Sequence, residues 1–301
     1  MSGGHEIPCA GNRRLGGGWR VAGAASAATA AILAFELPAR ADQPSSLGRE
    51  VWAGADVSSN VWLVYSGVTF APWGAIHQDG WRFRTAGGYG QYEYDRTAEE
   101  EDTDPNRALN FEAETYFAEV LVGYQKRFGE LTAKAFIGVS TISHDISPTD
   151  DENIAIGDEV GIKGAIELWL NIGERGWASL DLSWASAHDT RAARTRIGYR
   201  VWPKLSIGFE GGINVDSQGE CRVQAEKSGR CGYLKVNDDG SVEREFEGAD
   251  LLDYARVGSF VRYEWGVSEA SISGGILGDS FASDGDVELA PYVTLNWLTQ
   301  F

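Results

Sequence analysis

The last nine residues set the solvent problem for the whole chain. Val293, Leu295, Trp297 and Phe301 share one parity, while Thr294, Asn296 and Gln300 occupy the other. Side chains alternate across a β-strand with period two, so this segment is a strand with one oily and one polar face. The same alternation recurs from about residue 51 onward, and no long helical period interrupts it. Trp81, Phe83, Thr85 and Tyr89 oppose Arg82 and Arg84; Leu131, Ala133, Ala135, Ile137 and Val139 oppose Thr132, Lys134 and Ser140. Val160, Ile162, Ile166, Leu168 and Leu170 oppose Lys163, Glu167 and Asn171. Read in this way the chain holds about twelve strands, the first two (51–58 and 61–71) being the least regular.

Such strands need a solvent for their oily side. A soluble sandwich or an inward-facing barrel would have to enclose twelve strands' worth of apolar side chains while displaying rows of arginine to water. Barrel diameter grows with strand number, and a dry centre of that size is hard to fill. A transmembrane antiparallel up-and-down β-barrel reverses the faces and removes the difficulty. The connections agree. Those at 126–130, 173–176, 203–204 and 266–268 are short; those at 95–110, 145–158, 185–192, 216–253 and 279–287 are longer or more acidic. Short turns on one rim and long loops on the other are the outer-membrane pattern, which the longer link at 72–79 weakens at one place. Trp81, Tyr124, Trp177 and Trp265 lie near strand ends, where an interfacial girdle is expected. Phe301, a terminal aromatic on the last strand, resembles the assembly signal of bacterial outer-membrane barrels.

The first 41 residues read as a leader. Arg13, Arg14 and Arg20 precede an apolar, alanine-rich run from Val21 to Phe35, and Ala39-Arg40-Ala41 supplies a small-x-small cleavage site. The run is shorter than the roughly 20 residues a helical anchor needs. The expected mature chain is therefore 42–301. Residues 1–41 hold four Arg and two Glu, so their removal moves the formal charge from −18 to −20. A surface this acidic argues against nucleic acid as a partner, because phosphate binding needs clustered Lys and Arg. Cys221 and Cys231 remain in the polar stretch 216–253, ten residues apart, and in an oxidising compartment they are expected to form a disulfide.

The polar parity carries both signs of charge. Arg82, Arg84, Lys134, Lys163, Arg194, Arg196, Arg200, Arg256 and Arg262 face Glu119, Glu167, Asp181 and Glu210. Enclosed charges must pair, since unpaired ones are costly to desolvate, so a salt-bridged plug is favoured over an anion- or sugar-binding lumen. Ser143-His144-Asp145 and Ser186-His188-Asp189 hold the residue types of a hydrolase triad. Both are read as connections and such polar triples are common in loops, so no catalytic residue, metal ligand or cofactor is nominated. The acidic runs 99–104 and 150–152 are read as solvated loops, with bridging through cations to lipopolysaccharide as the alternative.

Gly54-Ala55-Asp56, Tyr65-Ser66-Gly67, Gly80-Trp81-Arg82-Phe83-Arg84 and Gly87-Gly88-Tyr89-Gly90-Gln91-Tyr92-Glu93-Tyr94-Asp95 resemble the cellulose biosynthesis protein BcsS family. The resemblance implies a secreted, alphaproteobacterial outer-membrane protein associated with cellulose production, with outer-membrane lipid, cellulose or the secretion machinery as partners. It supplies no catalytic motif. The expected function is a non-enzymatic accessory barrel, with a small channel and a lipid-modifying enzyme as the alternatives.

Overall fold

The computed structural model describes residues 48–97, 108–150, 153, 155–216, 233–236, 242–245, 254–278 and 289–301. The expected leader, Cys221, Cys231 and the acidic run 99–104 lie outside the described residues.

Twelve strands close into one antiparallel barrel. They are β1 (Arg49–Ser58), β2 (Val61–Phe70), β3 (Gly80–Thr97), β4 (Ala108–Phe128), β5 (Leu131–Ser147), β6 (Gly157–Ile172), β7 (Gly176–Ala185), β8 (Thr190–Trp202), β9 (Leu205–Val215), β12 (Ala255–Trp265), β13 (Ser268–Gly278) and β14 (Leu289–Gln300). A separate hairpin, β10 (Tyr233–Val236) and β11 (Val242–Glu245), falls in the stretch between β9 and β12. Each barrel strand pairs with its neighbours in order, and β14 returns to β1 from Glu50–Gln300 to Ser58–Tyr292. Beyond that register the Phe301 N–H donates to the Arg49 carbonyl at 2.9 Å, and the Arg49 N–H returns to Phe301 at 3.1 Å. Closure leaves the barrel itself without an unpaired edge, the condition for strands in hydrocarbon.

Alternation decides what each face meets. Val160 and Phe209, on the outward parity, are 74% and 75% exposed, whereas inward Arg82 and Trp177 are 0% exposed. This inverts the usual burial order of soluble proteins and leaves a continuous apolar exterior. Gly129, Gly173 and Gly266 adopt positive φ (61°, 61° and 58°) in three of the tight turns on the rim that holds both termini, here the turn rim. L-residues with a Cβ rarely take that conformation.

Strands β3 to β6 run 18, 21, 17 and 16 residues and rise above the rest on the opposite, loop rim. Several connections are shorter than the sequence suggested because the strands continue through polar positions. Glu112, Glu114, Asp145 and Asp158 sit on these extensions, so period-two hydrophobicity fades before the ladder does. Ser143, His144 and Asp145 accordingly belong to β5 and not to a connection.

One aromatic is misplaced by the sequence reading. Trp177 is not a girdle residue: it points inward, fully buried, stacked on Trp169 with centroids 4.5 Å apart and tilted against Phe260 at 5.3 Å. It lies against inward Gly198, where a Cβ would clash with the indole. Trp81, Tyr124 and Trp265 do face outward and are exposed.

Candidate functional site in the barrel lumen

The inward residues of twelve strands converge on one enclosed space, and three levels can be distinguished along it. On the loop rim an aromatic cluster is built by Tyr94, Phe111, Ala113 and Ile146 from the tall strands, with Tyr92 beside it. The β5–β6 connection folds onto this cluster. The Tyr94 hydroxyl donates to Asp150 Oδ2 at 2.7 Å, and Asn153 Nδ2 donates to Tyr94 at 3.2 Å. Asp150, expected in a solvated loop, is therefore buried. Asp151 and Glu152 lie outside the described residues.

The β7–β8 connection also turns inward, across the inner face of β6 at Gly161. Ser186 continues the β6 ladder by donating to the Ile162 carbonyl and accepting from its N–H, each at 2.9 Å. His188 and Asp189 take left-handed φ of 48° and 44°, a conformation non-glycine residues seldom adopt. The turn is held by His188, whose N–H donates to Glu159 at 2.8 Å and whose Nε2 lies 3.1 Å from the Gly157 carbonyl.

Neither candidate triad is assembled. Ser143 and His144 sit on opposite faces of one strand, and His144 Nδ1 is 3.1 Å from the Tyr92 hydroxyl. His188 directs its ring nitrogens to Gly157 and Glu159, while Ser186 Oγ accepts from Ile162. A nucleophile needs its base within hydrogen-bond reach.

The middle level is crossed by charges. Glu210 on β9 accepts from Arg194 at 2.5 Å and from Tyr292 on β14 at 2.8 Å, three strands away. Asp56 on β1 accepts from Thr294 and pairs with Arg256 of β12 at 3.4 Å, again three strands apart. Tyr65 donates to Asn296 Oδ1 at 2.8 Å. Lys163 pairs with Glu119 between β6 and β4.

Towards the turn rim, Arg84 of β3 meets Glu167 of β6 at 2.5 Å, and Lys134 lies 3.3 Å from the same carboxylate. Lys134 also reaches Glu50 of β1 at 4.0 Å, four strands away. The Arg84 guanidinium covers the Phe136 ring at 4.0 Å. Arg262 of β12 pairs with Glu264 at 3.1 Å and with Glu269, and its guanidinium sits 4.9 and 5.2 Å from the Trp169 and Trp177 rings. Arg196 and Asp181 make no side-chain hydrogen bond or ion pair with another described residue; Arg196 is 6.0 Å from the Trp177 ring centroid. Arg200 lies at the turn rim beside an irregularity at Arg200–Trp202.

Arg82 has a different task from the other cations. It is fully buried and donates to the carbonyls of Trp81 at 2.8 Å, Ala75 at 3.4 Å and Ile76 at 2.9 Å, and to Gln78. It thereby gathers the β2–β3 link, 71–79, at the turn rim. Asp79 finishes the clamp: the Lys126 ammonium and the Arg127 N–H hold its carboxyl below the usual carboxylate range. No local sequence signal marks this link as folded back; only its excess length over a tight turn was visible.

A family model described as "Cellulose biosynthesis protein BcsS" matches residues 51–225, more than half of the chain. The chain belongs to this family. The match runs from β1 past the end of β9 and includes the strands that carry the Arg84–Glu167 and Arg194–Glu210 pairs. No curated protein matches this BcsS-family chain. Among solved structures it is similar to the KdgM porin, at 7% identity and TM-score 0.43, over 84% of this chain and 99% of that one. It is also similar to the transport unit of the autotransporter AIDA-I from Escherichia coli, at 11% identity and TM-score 0.44, over 92% and 97%. The translocator domain of NalP from Neisseria meningitidis gives 12% identity and TM-score 0.41, over 93% and 99%.

Proposed function

We propose that this BcsS-family protein is a non-enzymatic outer-membrane barrel that assists cellulose synthesis or secretion without acting as an open conduit. Family membership supports the process, and the apolar exterior supports a membrane setting. Export through a leader ending near Ala41, a Cys221–Cys231 disulfide, and contact of the acidic loop rim with lipopolysaccharide belong to the same proposal. So does Phe301 as assembly signal. The observation that carries the non-conduit part is the bonding across the lumen. Glu50–Lys134, Arg84–Glu167, Asp56–Arg256 and Glu210–Tyr292 join strands three or four apart, and two connections of the loop rim fold inward above them.

A small channel is the second reading, favoured by one observation. Asp56 and Arg256 keep 28% and 26% side-chain exposure although they face inward, so water-sized space persists among the pairs.

Deleting the gene tests the first reading. Surface cellulose, measured by dye binding or enzymatic release of glucose, is expected to fall several-fold and to return when the gene is restored. Unchanged cellulose in the deletion strain, with the protein inserted in the parent's outer membrane, overturns it.

A further inference from the structure

On the lumen wall of β6, β7 and β8, in the half nearer the turn rim, polar groups stand without partners. Trp169, Ser179 and Arg196 face one another in a row across the three strands, and Glu167, Asp181 and Arg194 form the next row towards the loop rim. Within this patch Ser179 Oγ and Arg196 Nε are buried without any acceptor. The Asp181 carboxylate receives no hydrogen bond from a described residue. From across the lumen Arg262 brings two more unmatched donors, Nε and Nη1, while its guanidinium lies 4.9 Å from the Trp169 ring. Buried polar groups are nearly always satisfied, so such a concentration calls for an occupant.

We propose that Trp169, Ser179, Asp181 and Arg196, faced by Arg262, form a saccharide subsite in the lumen. The chemistry selects this class over a simple anion. Unmatched N–H and O–H groups want acceptors, but the Asp181 carboxylate wants a donor. A bare anion would satisfy the first set and be repelled by the second. A sugar hydroxyl both donates and accepts, and a ring bearing several meets both demands at once. The half-buried Trp169 indole, backed by Trp177, supplies a flat apolar surface for a sugar face. Two strand spacings by two residues give a patch of about 10 Å by 7 Å, the scale of one or two sugar rings.

The inference rests on the cellulose-accessory reading for the identity of the sugar, but not for the existence of the site. Cellotetraose is therefore the probe, titrated calorimetrically into the full-length folded barrel in detergent micelles. Saturable binding is expected, weakened at least tenfold by Asp181→Asn and by Arg196→Gln, and unchanged by the outward substitution Val257→Ala. Folding of each variant is checked by its heat-modifiable migration on gels. If Arg196→Gln fails to fold, Arg196→Lys and Ser179→Ala carry the test, each predicted to weaken binding severalfold. Absence of saturable binding to the folded wild type overturns the proposal and means that water alone fills the patch. Equal binding by all variants overturns it too. Lost cellulose in the deletion strain without cellotetraose binding would refute this subsite and leave the accessory reading standing; unchanged cellulose would refute that reading instead.

Discussion

At the residue scale the clearest lesson comes from tryptophan, which serves two solvents in this protein. Trp81 is half exposed on the outer wall, edge-on to Tyr124 at 5.6 Å, whereas Trp177 is enclosed between Trp169 and Phe260. Both stand near strand ends, and position alone suggested the same girdle role for each. Parity tells them apart: Trp177 shares its face with Ser179 and Asp181, so its inward direction was present in the pattern of β7. What no local pattern could supply was the space, which depends on Gly198 of the next strand. Trp177→Ala should cost about 3–5 kcal/mol, the range for deleting a fully buried aromatic. Trp81→Ala should cost much less, since its ring keeps one side open. Reversible urea unfolding in detergent, followed by gel mobility, compares the two. Equal losses would contradict the enclosure of Trp177.

At the element scale the outward faces were legible because hydrocarbon demands an apolar residue at every second position. The strand ends were not, since that demand stops where β3 to β6 rise past the apolar belt and ordinary ladder hydrogen bonds take over. The β2–β3 link was hidden for another reason, as its fold depends on Arg82, three residues beyond the link's Asp79. Arg82→Ala leaves the buried Ile76 carbonyl without its donor, a loss of roughly 1–3 kcal/mol, while Gln125 still donates to the Gln78 carbonyl. The expected result is a barrel that still closes, with the 71–79 link cut by protease roughly tenfold faster than in the wild type. Acid should act on the same link through Asp79. A lowered carboxyl pKa contributes stability that is present above the ordinary carboxylate value and lost as pH falls through the lowered one. Hydrogen exchange at the Arg127 amide should therefore stay slow at mildly acidic pH and quicken only in stronger acid. Exchange independent of pH below 5, beyond its intrinsic change, would remove Asp79 from the clamp.

At the scale of the whole molecule, strand number and charge pairing have to be considered together. Eight strands leave room only for packed side chains and sixteen leave an aqueous channel, so a barrel of twelve has space that must be filled or crossed. This one does both, with aromatic rings lying against inward glycines and ion pairs joining strands three and four apart. The pairs set its electrical behaviour. In planar bilayers the wild type should give little or no steady current, because Arg84 and Lys134 neutralise Glu167 and Glu50 where they would otherwise line a path. Replacing both cations with alanine removes two long side chains and leaves the two carboxylates facing water. The double variant Arg84→Ala, Lys134→Ala should conduct in reproducible steps and prefer cations, with a reversal potential that shifts accordingly across a salt gradient. Wild-type steps as large as those of the variant would mean that the pairs do not obstruct the lumen, and the small-channel reading would then replace the accessory one. A silent wild type and a cation-selective variant would show that the walls are locked by charge and that the passage is latent in the strand count.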